Sequence, residues 1–213
     1  MPGYTTRILT IPVGGHDFRI RALSDLQQFA DPTGRAQRAG IHSSLWSLFG
    51  QIWPAGRVLA ETMHSFDVAG KRVLELGCGL GLASLVLAHR GADVVASDHH
   101  PLAESFLAYN AGLNDLPALH YRDLPWELPD TTLGRFDLII GSDVLYERGH
   151  ALQIARMMEQ NPQLTAEALA ERLGDSRLQI FDCRFDLARP DSGRERYLDE
   201  HLPGAVYTDL NRD

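Results

Sequence analysis

Nine residues, Val73 to Gly81, reading Val-Leu-Glu-Leu-Gly-Cys-Gly-Leu-Gly, set the strongest limit on what this chain can fold into. Val73, Leu74 and Leu76 form a short apolar run that glycines end abruptly, and Leu82 to His89 then carries leucine and valine at helical spacing. The order is strand, turn, helix. Gly77, Gly79 and Gly81 lack a Cβ, so the backbone can turn sharply and admit a ligand beneath the free N–H groups of the helix start. Asp93 to Ser97 reads as the next strand. Asp98 then stands at its C-terminal end, where a carboxylate can accept hydrogen bonds from two vicinal ribose hydroxyls.

A glycine-rich turn alone is as readily a plain tight turn as a ligand cradle. Here the spacing is Gly-x-Gly-x-Gly, Leu82 stands where a dinucleotide fingerprint has its third glycine, and Glu75 lies two residues ahead of the first. With Glu75 included, the stretch resembles the first motif of class I S-adenosylmethionine-dependent methyltransferases. The resemblance implies S-adenosyl-L-methionine as cofactor, with Glu75 facing its ammonium end, Gly77, Cys78, Gly79 and Gly81 lining its middle and Asp98 on its ribose.

The rest of the chain extends the pattern. Thr6 to Val13 and Phe18 to Ala22 read as a pair of strands around Gly14-Gly15, a flap ahead of the main domain. Pro54-Ala55-Gly56 opens a helix through Met63. Trp46 and Trp53 read equally well as buried anchors. Trp53-Pro54-Ala55-Gly56 resembles the segment that closes the cofactor's methionine end in lysine-methyltransferase-like members of the family. Pro101 to Gly112 is a helix, Ala118 to Tyr121 a third strand, and Phe136 to Gly141 a nearly continuous apolar run expected of a central parallel strand. Arg122 to Trp126 falls where that group contacts adenine; Trp126 matches its aromatic residue, and Pro125 stands where it often has aspartate. Beyond the last strand, Asp143 and Tyr146 would open on the same crevice as the glycine turn. Their spacing resembles the Asp-x-x-Tyr motif of protein-lysine methyltransferases, which implies that they orient the methyl acceptor. Helix-start packing is the alternative for Tyr146, and dipole complementarity for Asp143.

From about Asn161 the character changes. Phe181-Asp182-Cys183-Arg184-Phe185-Asp186-Leu187, Gly193-Arg194 to Tyr197-Leu198 and His201-Leu202-Pro203-Gly204-Ala205 resemble the start of a rhodanese-type sulfurtransferase. That family's persulfide cysteine lies well downstream of the His-x-Pro-Gly-Ala stretch, so Cys183 is not its counterpart. The methyltransferase resemblance covers about Arg7 to Met158. The expectation is therefore an α/β, Rossmann-like three-layer sandwich with a mostly parallel sheet in residues 1–160, truncated at its C-terminal part, followed by a rhodanese-like fragment in 161–213. Leu178 to Phe181 is apolar enough to add a strand to the truncated sheet.

A formal net charge of −8 over 213 residues argues against general binding of a phosphate backbone. Cys78 and Cys183 are too few for a disulfide framework, which fits a reducing cytoplasm. Polar residues break up the first twenty positions and no stretch reaches membrane length, so no membrane partner is expected. No metal site is expected. The leading expectation is methyl transfer to a protein lysine or a related small-molecule nucleophile. Sulfur transfer and a non-catalytic binding remnant are the alternatives.

Overall fold

The computed structural model describes residues 4–126, apart from Leu26, Ala30, Pro32 and Ser44, and residues 132–144, together with 153–154, 180–182, 195, 198 and 205–207. The chain divides into two compact units, residues 1–130 with 135–146, and residues 131–134 with 147–213. No helix among the described residues is long and apolar enough to cross a membrane.

The first unit opens with an antiparallel hairpin, β1 (Thr6–Val13) and β2 (His16–Leu23), paired from Thr6↔Leu23 to Val13↔His16. Its two-residue turn places Gly14 at φ 56° and Gly15 at φ 82°, left-handed backbone that glycine adopts without strain and that matches the strand twist. A short helix α1 (Arg35–Arg38) and α2 (Pro54–Ser65) follow. The central sheet contains β3 (Arg72–Leu76), β4 (Asp93–Asp98), β5 (His120–Asp123) and β6 (Leu138–Gly141), in the order β5-β4-β3-β6 and parallel throughout. Helix α3 (Leu82–His89) joins β3 to β4, and α4 (Ala103–Leu113) joins β4 to β5. Both crossovers step the same way across the sheet, so right-handed connections put α3 and α4 on one face.

Val73, Leu74, Val94, Val95, Ala96 and Ile140 are buried, as two-sided cover of parallel strands demands. Two strands begin later than the apolar pattern suggests. The third was expected over Ala118 to Tyr121 but runs from His120 to Asp123, paired with Val95 to Asp98. As the outer strand of the described sheet it is largely exposed, so hydrophobicity does not mark it. The fourth starts at Leu138, because Asp137 takes the ladder's end. Its N–H donates to the Arg72 carbonyl at 2.9 Å, and its carboxylate accepts from the Arg72 N–H at 2.9 Å.

The hairpin is docked rather than loose. Asn110, on α4, accepts from the Arg21 N–H at 2.8 Å, and Asn114, just past the helix end, accepts from the Arg19 N–H at 2.8 Å; both return a bond to the same residue's carbonyl. Four residues of helix and two of strand both advance about 6 to 7 Å, so the two side-chain amides mimic a further strand along β2. Arg21, buried, lays its guanidinium against the rings of Phe106 and Tyr109, at 4.4 and 3.9 Å.

In the second unit, β7 (Ile180–Asp182) pairs in parallel with β8 (Ala205–Tyr207). The apolar stretch expected to extend the central sheet has β8 as its described ladder partner.

Candidate functional site

The sheet changes direction at β3, which has β4 on one side and β6 on the other; such a switch point opens a crevice beyond the strand C-termini. The glycine turn fills that position. Cys78 N–H donates to the Ser97 carbonyl at 2.9 Å, Gly79 N–H to Asp98 Oδ2 at 2.8 Å and Gly81 N–H to the Cys78 carbonyl at 2.8 Å, so the turn is pinned to the end of β4. Gly77, Gly79 and Gly81 have φ of 61°, 52° and 83°.

Each of these glycines admits a different neighbour. A Cβ on Gly77 would lie 2.8 Å from Val144 Cγ1 and 3.9 Å from Trp126; on Gly79, 3.0 Å from the Phe49 carbonyl oxygen; on Gly81, 2.2 Å from Leu107 Cδ1. Beside all three, the room expected for a ligand against the glycine is occupied by protein. Gly77 is where the turn meets Trp126 and the residue that follows Asp143.

Asp98 sits at the end of β4 with both carboxylate oxygens engaged, Oδ2 by Gly79 N–H and Oδ1 by His100 N–H, each at 2.8 Å. Its main-chain oxygen accepts from the Tyr121 hydroxyl at 2.8 Å and from Leu124 N–H at 3.1 Å. Burial pushes its carboxyl above the ordinary value, against the pull of those backbone donors. Glu75 is also buried, and its register partner in β4 is Ala96, two residues before Asp98, so the two acids point to the same face of the sheet. Burial raises the Glu75 carboxyl to about 7, and the Asp98 charge adds to the rise. Cys78 is buried between them, and burial with the two acids pushes its thiol well up, making it an inert filler rather than a nucleophile.

Trp53 is half-buried at the N-terminal cap of α2, its indole N–H donating to the Leu48 carbonyl at 2.9 Å. A Cβ on Gly56, in the first turn of α2, would lie 3.5 Å from Ser142 Oγ, which places that turn beside the end of β6. Asp143 has φ 55°, a conformation an aspartate tolerates better than most residues. Its side chain reaches solvent, yet the crowding around it raises its carboxyl from the ordinary value. Tyr146 and Cys183 lie outside the described residues.

Four residues of this region escape sequence reasoning. Ser84 holds Glu75 through its N–H, at 2.9 Å, and through its hydroxyl. Phe49 lays its main chain on Gly79 and stacks its ring on His100, centroids 3.8 Å apart. His100 is buried, its Nδ1 accepting from Leu102 N–H at 3.2 Å and its Nε2 without a hydrogen-bond partner of ordinary geometry among the described residues; burial lowers it to about 3. Val144 packs on Gly77 and Gly141. Only Ser84 leaves a signal in the chain, a hydroxyl in the first helical turn after a strand whose last residue but one is an acid.

A family model described as lysine methyltransferase matches residues 42–169. A protein N-lysine methyltransferase of Danio rerio is 36% identical over 137 residues, which are 59% of this chain and 62% of that protein. A histone-arginine methyltransferase of Xenopus laevis is 32% identical over 148 residues, 64% of this chain and 63% of that protein. A probable 3-mercaptopyruvate sulfurtransferase of Pseudomonas aeruginosa is 48% identical over 50 residues, 24% of this chain and 18% of that protein. The chain thus spans less than two thirds of the length of these two methyltransferases.

Proposed function

Because the chain belongs to the lysine methyltransferase family, we propose that it binds S-adenosylmethionine at the glycine turn and methylates a nitrogen of a protein, lysine before arginine. The observation that carries this reading is the clamp between Gly79 N–H and Asp98, beside buried Glu75, at the switch point of a parallel sheet. The donor groups suit the cofactor. Each oxygen of Asp98 spends one lone pair on a backbone N–H and keeps one for a ribose hydroxyl, and Glu75 has an oxygen left for an ammonium. Val144 and Trp126 give the turn an apolar edge at Gly77, to which we assign the base, and Trp53 caps the helix that reaches the end of β6.

When bound, S-adenosylmethionine supplies an activated methyl group for in-line displacement, and the protein's part is positioning. A lysine acceptor attacks only when neutral, so the site must strip it of water and receive its proton. Asp143, with its carboxyl raised, is the residue we assign to orient that amine and take its proton, together with Tyr146. Residues 161–213 we read as a rhodanese-type fragment, and the sulfurtransferase likeness supports that reading over a short span. We assign it no sulfur transfer, since its cysteine, Cys183, precedes the His-x-Pro-Gly-Ala stretch and is not the counterpart of that family's persulfide cysteine.

Isothermal titration of the full chain with S-adenosylhomocysteine tests the cofactor site. Asp98→Ala should weaken binding by about tenfold or more, as expected for loss of charged hydrogen bonds, and Asp143→Asn should leave binding intact while abolishing methylation of lysine-containing protein substrates with a radiolabelled donor. Absence of binding by the wild-type chain would sink the proposal.

A further inference from the structure

Glu75 is held from one side only. Ser84 is fully buried in the first turn of α3, and its N–H and its hydroxyl both donate to the same carboxylate oxygen, Oε2. Gly81, the residue capping α3, has no side chain to offer, so the strand acid serves as the cap of the helix that follows it. Oε1 makes no hydrogen bond among the described residues. The titratable groups that face Glu75 are Asp98 on β4 and Cys78 in the turn; Ser84 faces it from α3, and Ile140 is its neighbour on β6. None of these offers Oε1 a proton or a positive charge.

We propose that Ser84 is a positioning residue that fixes Oε2 of Glu75 and leaves Oε1 to receive the ammonium of S-adenosylmethionine, so that Ser84 sets how tightly the cofactor's amino-acid end is held. The inference rests on the cofactor reading above. Two donors on one oxygen orient the carboxylate and favour its charged form, offsetting part of the burial that disfavours it. An ammonium binds the ionised acid, so affinity should rise as pH passes through about 7. Without the hydroxyl, the acid ionises later and the rise moves to higher pH.

The test uses two ligands on the full chain, S-adenosylhomocysteine, which carries the ammonium, and 5′-methylthioadenosine, which lacks the whole amino-acid end. Between pH 5.5 and 8, by isothermal titration, Ser84→Ala should bind S-adenosylhomocysteine about tenfold or more weakly at pH 7, as for loss of a hydrogen bond to a charged group. The gap should narrow toward pH 8, and the affinity for 5′-methylthioadenosine should match the wild type at every pH. If both ligands weaken alike, or if the pH profiles of variant and wild type superimpose, Ser84 is structural and the inference is wrong. Should Ser84→Ala not fold, Glu75→Gln replaces it: its S-adenosylhomocysteine profile should be flat, and a retained pH step overturns the inference. A wild-type chain that binds neither ligand overturns the cofactor reading itself, whereas one that binds both with no pH step overturns only the role given to Ser84 and Glu75.

Discussion

The buried acid at the heart of the site should destabilise the ligand-free protein at neutral and alkaline pH, and Glu75→Gln should relieve it. Burial lifts the Glu75 carboxyl from 4.5 to about 7, so folding favours the protonated form. The stability that this carboxyl supports is fully present below the unfolded value and is lost as pH rises through the folded one. Linkage over such a shift amounts to about 2.5 kcal/mol lost between pH 5 and pH 8. Glutamine keeps an oxygen for the two Ser84 donors but cannot titrate, and its amide N–H group is left to find a partner, which costs about 1 kcal/mol at every pH. The comparison that matters is therefore the change with pH rather than stability at one pH. Urea unfolding followed by tryptophan fluorescence, without ligand, should show the wild type losing about 2.5 kcal/mol more than Glu75→Gln between pH 5 and pH 8. In melting temperature the same difference is about 5 to 10 °C for a chain of this size. His100, whose shift does not depend on Glu75, is common to both proteins and cancels in that difference. Parallel pH profiles would refute the reasoning and mean that Glu75 is ionised or solvated where it sits.

Gly81→Ala should cost about 2 to 4 kcal/mol, because it forces a side chain into left-handed backbone and against Leu107, and the shift should appear in the urea midpoint with unchanged slope. Asn110→Ala should cost about 2 to 4 kcal/mol in the same assay, since it leaves the Arg21 N–H and the Leu80 carbonyl buried without partners. His100 lies at about 3, below its ordinary 6.5, so its contribution is present above 6.5 and is lost as pH falls. His100→Phe should remove about 3 kcal/mol of the acid sensitivity between pH 7 and pH 4, measured as the difference between variant and wild-type urea curves.

What could be read in the chain was local. The turn from Gly77 to Gly81 needs left-handed backbone within a few residues of an apolar strand, and glycine is the residue that supplies it, so strand, turn and helix followed from adjacent letters. Asp98 was legible for the same reason, one helix and one strand further on. The hairpin's docking was not. Asn110 looks like a solvent residue on a helix, and its partner lies 89 residues away, as the partner of Asn114 lies 95 away. The protein that crowds Gly79 and Gly81, Phe49 from ahead of α2 and Leu107 from α4, was hidden likewise, because a glycine chosen for close approach does not say what approaches. The outer strand β5 was placed two residues early because an exposed strand carries no apolar rhythm to mark its ends.

Glu75 and His100 impose opposite pH slopes on one small region. The acid makes the ligand-free fold less stable as pH rises through about 7, and the imidazole makes it less stable as pH falls below 6.5. Both come from burial beside the same turn, Glu75 beneath it and His100 stacked on the Phe49 that covers it. A ligand bringing a positive charge to Glu75 removes the alkaline penalty and leaves the acid one untouched. Ligand stabilisation, set by mass action on the native state alone, should therefore grow from pH 5 to pH 8 for S-adenosylhomocysteine and stay level for 5′-methylthioadenosine. Growth for both ligands would place its source in His100 or in the hairpin rather than in the acid under the turn.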